Sequence, residues 1–164
     1  MKKLFLSLSF MLVAFAANAQ FTPNLVVTAG LPVGDYKDAS SFALSADLYF
    51  MKSVSESFGL GVTSGYSIYF GKDYDEGLVE IEGANFSYLP LAGAFRFNLS
   101  EDFSIGTDVG YAFGLSDNTD GGFYYKPTLG FNIGDSSQLI LSYQGISEDG
   151  GTLNYIGLGF AFGM

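Results

Sequence analysis

Large apolar side chains recur at every second position along most of this chain. Phe42, Leu44, Ala46, Leu48 and Phe50 share one phase; so do Phe58, Leu60, Val62, Ser64, Tyr66, Ile68 and Phe70, and again Phe103, Ile105, Thr107, Val109, Tyr111 and Phe113. A period of two is the mark of a strand. The alternation predicts strands over 24–33, 41–51, 57–70, 86–98, 102–114, 122–134, 138–147 and 152–163, separated by clusters of Gly, Asp, Asn and Ser that read as turns. Strands of soluble proteins average roughly 5–6 residues, whereas a tilted strand crossing a bilayer needs about 9–11. Most of these runs have the longer dimension.

The opposite phase of the same strands is slight and polar: Ser41, Ala43, Ser45, Asp47, Tyr49, then Gly59, Gly61, Thr63, Gly65, Ser67, Tyr69, then Ser104, Gly106, Asp108, Gly110, Ala112, Gly114. In the last run Ile156, Leu158, Phe160, Phe162 and Met164 alternate with Gly157, Gly159, Ala161 and Gly163. A soluble barrel or sandwich would bury its bulky face and carry Lys, Glu and Thr on a wet one. Here the second face is too small and too uncharged for that, and suits the narrow lumen of an eight-stranded barrel. The bulky face then points into lipid, where only a closed sheet leaves no unpaired backbone edge.

The expected fold is therefore an all-β, eight-stranded antiparallel up-and-down transmembrane β-barrel. The connections at 34–40, 71–85 and 115–121 are longer than those between them, which is the habit of outer loops and periplasmic turns. Phe50, Phe58, Phe70, Phe103, Phe113 and Phe123 fall near strand ends, where interfacial girdles lie. Pro90 and Pro127 each remove a ladder donor inside a strand, predicting a bulge or irregularity at both. Val109→Arg is expected to be costly, and Gly110→Ser, on the lumen phase, less so.

At the N-terminus, Lys2 and Lys3 precede an apolar run from Leu4 to Ala17 and a small-x-small tripeptide, Ala17-Asn18-Ala19. This predicts a cleaved signal peptide over 1–19 and a barrel domain over 20–164. After removal five Lys and Arg remain against 17 Asp and Glu, a charge of −12 that would repel nucleic acid. Cys and His are absent, so the chain has no disulfide, no thiolate or imidazole ligand and no imidazole base. No enzyme, no metal and no cofactor is expected.

The chain resembles the small eight-stranded outer-membrane β-barrels of Gram-negative bacteria, the broad outer membrane protein beta-barrel domain or porin-like family. The resemblance is carried by AGLPVGDY at 29–36, SYLPLAGAFRF at 87–97 and the closing alternation Tyr155 to Met164. It implies the outer membrane as location, outer-membrane lipids as neighbours, a monomer, and a final strand read by the barrel-assembly machinery. Met164 stands where the family ends in Phe and keeps its outward phase. The resemblance implies a structural, surface-interaction or minor small-solute passage role. The alternatives are a barrel enzyme acting on lipid or peptide, whose known relatives depend on a His lacking here, and a soluble exported barrel holding a hydrophobic ligand, which the slight lumen residues oppose.

Four charges fall on the lumen phase: Asp47, Arg96, Asp108 and Lys126. Two acids and two bases in so narrow a space should pair, as a gate or as a structural plug, with Thr128, Asn132, Ser142 and Gln144 extending the network. The loop at 71–85 carries Asp73, Asp75, Glu76, Glu80 and Glu82 against Lys72. Its alternation predicts a projecting hairpin, a candidate surface for a partner strand or for a divalent cation. DNTDGG at 117–122 lacks the spacing of a calcium loop. Across the outer loops eleven acids face two bases, so anionic head groups would be met through bridging divalent cations.

Overall fold

The computed structural model of the protein describes residues 21–163 apart from 73, 76–79, 82, 117, 118, 135 and 149. In chain order the strands are β1 (Thr22–Val33), β2 (Ser40–Ser53), β3 (Phe58–Gly71), β4 (Tyr74–Asp75), β5 (Glu80–Ile81), β6 (Phe86–Asn98), β7 (Phe103–Gly114), β8 (Gly122–Asn132), β9 (Ser137–Glu148) and β10 (Gly151–Gly163). Eight of them close an antiparallel barrel in the order β1-β10-β9-β8-β7-β6-β3-β2, and among the described residues β4 pairs only with β5. The seam between first and last strands runs from Asn24 opposite Gly163 to Val33 opposite Asn154. Every predicted strand is present with ends moved by at most two residues. The predicted signal peptide and Met164 lie outside the described residues.

Both ends of the barrel domain sit at one rim, with the connections 54–57, 99–102 and 133–136. These three turns share one construction that the alternation alone does not show. In each, the first residue's amide bonds back across the turn: Val54 to Phe58 O at 2.8 Å, Leu99 to Phe103 O at 2.8 Å and Ile133 to Ser137 O at 2.9 Å. Ser55 and Ser100 accept the amides of Phe58 and Phe103 through Oγ at 3.1 Å, a local side-chain bond that fixes the reversal. The longer connections 34–39, 72–85 and 115–121 occupy the other rim, together with the two residues between β9 and β10.

The faces are as the period requires. Leu60, Val62, Ile105, Val109, Phe113, Leu129, Leu141, Ile156 and Leu158 are all exposed on the outer wall. Aromatics girdle that wall at both ends: Phe42 stacks on Phe70 with centroids 4.2 Å apart near the loop rim, and Phe103 meets Phe131 edge-on at 5.3 Å near the other. So large a continuous apolar surface has no stable place in water. Among the described residues no helix is long and apolar enough to cross a membrane, so the strands are the only elements that could do so.

The prolines interrupt the ladder without changing its register. Between β3 and β6 the rungs at Gly65 and Tyr66, opposite Pro90 and Leu89, are missing, and Ser64 with Leu91 and Ser67 with Tyr88 keep the same alignment on either side. Between β8 and β9 the pairs of Lys126 and Pro127 with Gln144 and Tyr143 are missing in the same way. Among the described residues the one register shift lies elsewhere, between Ser40 and Phe42 on β2, at a strand start where no proline announces it.

The lumen departs from expectation in one respect. Slight side chains do not fill it alone: Tyr69, Tyr88, Tyr124 and Tyr155 are fully buried there with Ile146 and Leu153, and Tyr49 is nearly so. Glycine makes the room. Tyr155 lies over the bare Cα atoms of Gly30 and Gly157, where any Cβ would strike its ring. The same crowding corrects the expectation for Gly110, since a Cβ there would meet the β6 backbone at Leu91 and Ala92. Gly110→Ser is not a mild change.

Candidate functional site

The period-two alternation sends Asp47 from β2, Arg96 from β6, Asp108 from β7 and Lys126 from β8 into the same lumen. They meet as two ion pairs. Arg96 Nη1 donates to Asp108 Oδ1 at 2.7 Å, and Lys126 Nζ donates to Asp47 Oδ2 at 2.7 Å. Lys126 is the direct register partner of Asp108, yet it spans the lumen to Asp47. Asp108 already has a cation of its own, with Oδ1 held by Arg96, and its Oδ2 accepts from Tyr49 OH at 2.6 Å. Arg96 lies over the Tyr49 ring, 5.0 Å from its centroid, and a Cβ on Gly106, its neighbour on β7, would strike the guanidinium arm.

Toward the loop rim the ion pairs continue into neutral groups. Ser45 Oγ donates to Asp47 Oδ2 at 3.0 Å, and Tyr155 OH lies 3.1 Å from that hydroxyl and 2.9 Å from Gln144 Oε1. Tyr124 OH donates to the same amide oxygen at 3.3 Å, while Gln144 Nε2 donates to Ser67 Oγ at 3.3 Å and Tyr69 OH at 3.4 Å. Tyr69 packs against Tyr88 and Tyr155 with centroids 6.0 and 5.8 Å away, and Ala43, Ala92, Ala112, Ile146 and Leu153 complete the seal.

Toward the chain-end rim the lumen opens into a cavity of about 430 Å³. Asn24, Asn98, Asn132 and Gln138 line its walls, and Tyr49 and Arg96 form its floor. The lumen is thus open at the rim with the short turns and filled by buried rings at the level of the tyrosine layer. Asp47, Asp108 and Lys126 have no exposed surface, and only Arg96, at 19% side-chain exposure, reaches the cavity. A solute moving through would have to break both buried ion pairs and displace a layer of packed rings. Among the described residues this constellation sets no nucleophile beside a base and no two acids in a shared pair.

Of the four neutral groups expected to extend the charges, Gln144 joins the tyrosine layer. Ser142 bonds the backbone oxygen of Gly157 at 3.4 Å, Asn132 sits at the cavity wall bonded to Glu101 O at 2.6 Å, and Thr128 is buried on the lumen face. The tyrosines were the missed participants. Their signal was in the sequence, since Tyr49, Tyr69, Tyr88, Tyr124 and Tyr155 all occupy the lumen phase, and a buried phenol needs a hydrogen-bonding partner.

The acidic loop is seen only partially. β4 and β5 form the expected hairpin, with Tyr74 paired to Ile81 and Asp75 to Glu80, whereas Asp73, Glu76 and Glu82 lie outside the described residues. Among the described residues no group of three or more acidic, His or Cys side chains is placed to hold a metal ion.

No protein-family model matches the chain, and no curated protein matches it. Solved structures do. The crystal structure of Ail, the attachment invasion locus protein of Yersinia pestis, aligns with a TM-score of 0.60 at 14% identity over 88% of this chain and 97% of that one. A de novo designed transmembrane β-barrel aligns at 0.55 with 15% identity, covering 87% of this chain and 95% of its own. The solution NMR structure of designed TMB2.3 aligns at 0.57 with 12% identity over 90% and 97%. At such identities the likeness is one of fold. The chain is an eight-stranded antiparallel β-barrel of the transmembrane kind, with the fold that Ail shares with designed bilayer-spanning barrels.

Proposed function

We propose that this protein is a non-enzymatic barrel of a Gram-negative outer membrane, exported through a cleaved signal peptide at 1–19, whose role is exercised at the cell surface and not through its lumen. The observation that carries this reading is the packing of the upper lumen, where Tyr69, Tyr88, Tyr124, Tyr155 and the Lys126–Asp47 pair are all buried. The apolar outer wall supports a bilayer location, and the fold of the outer-membrane protein Ail supports the choice of membrane. The lumen charges are committed to one another, which favours the plug over the gate. Outer-membrane lipids surround the wall, the closing strand serves the barrel-assembly machinery, and the hairpin within 71–85 is the surface offered to a partner. A monomer is consistent with the closed barrel sheet, which leaves no free edge for pairing with a second copy.

Purified protein in a planar bilayer is expected to be electrically silent at moderate voltage. Steady single-channel steps from the unaltered chain would overturn the surface reading in favour of passage. The second test concerns the hairpin. Because β4 and β5 form a two-stranded sheet separate from the barrel, replacing 74–81 by a short Gly-Ser linker is expected to leave the barrel's denaturation midpoint and its heat-modifiable migration on gels unchanged. A lower midpoint would tie the hairpin to the barrel's own stability and remove the case for its serving a partner.

A further inference from the structure

We propose that the lumen plug holds a bound water molecule in the corner formed by Asp47, Thr63 and Gly65, and that this water completes the solvation of the Lys126–Asp47 pair. Asp47 Oδ2 is fully engaged, accepting from Lys126 Nζ at 2.7 Å and Ser45 Oγ at 3.0 Å. Its other oxygen, Oδ1, is buried with no hydrogen-bond partner among the described residues, and so is Thr63 Oγ1. An ionised oxygen left bare at such depth is expensive, and native interiors satisfy such atoms with protein or with ordered water.

The register brings the two orphans together. Asp47 is opposite Gly65, and Tyr49 is opposite Thr63, so the inward side chains of Asp47 and Thr63 are diagonal neighbours across β2 and β3. Oδ1 points at the bare Cα of Gly65, where a Cβ would strike it. Beyond Gly65 the wall itself is incomplete: its rung to Pro90 and the next, Tyr66 to Leu89, are missing from the β3–β6 ladder, and Pro90 has no N–H to give. A carboxylate oxygen, a hydroxyl and backbone groups left unpaired by the two missing rungs supply the two to four polar partners that a buried water requires. A metal cation is the wrong occupant, because the ammonium of Lys126 already sits on the same carboxylate.

The test is water-to-amide cross-relaxation by NMR on the labelled, bilayer-embedded barrel. A long-lived water cross-peak is expected at the amides of Gly65 and Thr63, retained in Thr63→Ser and lost in Thr63→Val. Gly65→Ala fills the corner but keeps every hydroxyl, so it too is expected to lose the peak. No cross-peak in the unaltered protein would overturn the proposal. So would a peak that survives Gly65→Ala, since exchange of the Thr63 or Ser67 hydroxyl would then explain it. Should Gly65→Ala fail to insert, the Thr63 pair decides, with persistence of the peak in Thr63→Val counting against the bound water.

Discussion

Lys126→Met is expected to destabilise the barrel by about 3–5 kcal/mol, the loss that follows when one partner of a buried ion pair is removed. Methionine matches the unbranched stem of lysine and fills the same path across the lumen, so little of the loss is packing. What remains is a carboxylate at Asp47 with no exposed surface and Ser45 Oγ as its one donor among the described side chains. Arg96 does not take over the missing charge, because its guanidinium is already paired with Asp108 at 2.7 Å. The double variant Lys126→Met/Asp47→Leu is expected to regain most of the stability, since replacing a buried pair by apolar groups of similar size is commonly neutral or stabilising. Urea unfolding of the bilayer-embedded barrel, read by the folded band on unheated gels, measures both. Equal midpoints for the single and double variants would show that Asp47 is already uncharged or solvated by bulk water, and the plug would lose its ionic character.

How much of this was legible depended on which solvent each residue faces. Lipid imposes one demand on every outward position, so Leu60, Ile105 and Ile156 announce their face by type alone, and eight strands follow from the alternation. The lumen imposes no such uniform demand. Each inward residue answers to particular neighbours across the barrel, and those neighbours are set by shear and register, which no single strand reveals. The four charges could be put in one lumen from parity, but nothing in parity says that Lys126 passes over its register partner Asp108 to reach Asp47. The tyrosines were harder still, because their phase placed them within but no single strand shows how the lumen makes room for their bulk. For Tyr155 the explanation lies at Gly30 on the adjacent strand and Gly157 on its own, whose bare Cα atoms leave room for the ring.

Proline shows the same division between local and collective effects. The missing donors at Pro90 and Pro127 were plain in the sequence, yet the register passes both unshifted. Neighbouring rungs on both sides of each strand hold the alignment, so the lost bonds stay local. The shift at Ser40 and Phe42 has no comparable neighbour beyond it, because it begins the strand at a loop. These gaps also fall at the two ends of the Lys126–Asp47 pair, one beside Lys126 on β8 and one beside Gly65, the partner of Asp47. The wall is least regular where the plug is most polar.

Val109→Arg is the complementary experiment, since it tests the solvent outside the wall as Lys126→Met tests the interior. Val109 stands at the middle of β7, 39% exposed, between Gly93 on β6 and Tyr125 on β8. Arginine on the lipid face of a barrel costs about 2–4 kcal/mol near the midplane and little near the interfaces. Neither small Gly93 nor outward Tyr125 carries a charge to receive it. The matching control puts the same residue on the other face: Asn98 lines the open cavity at the chain-end rim, so Asn98→Arg should stay within about 0.5 kcal/mol. Folding free energies in lipid vesicles decide between them. A tolerated arginine at 109 together with a costly one at 98 would mean that water, not hydrocarbon, bathes the bulky wall, and the bilayer assignment would fall with the surface role built on it.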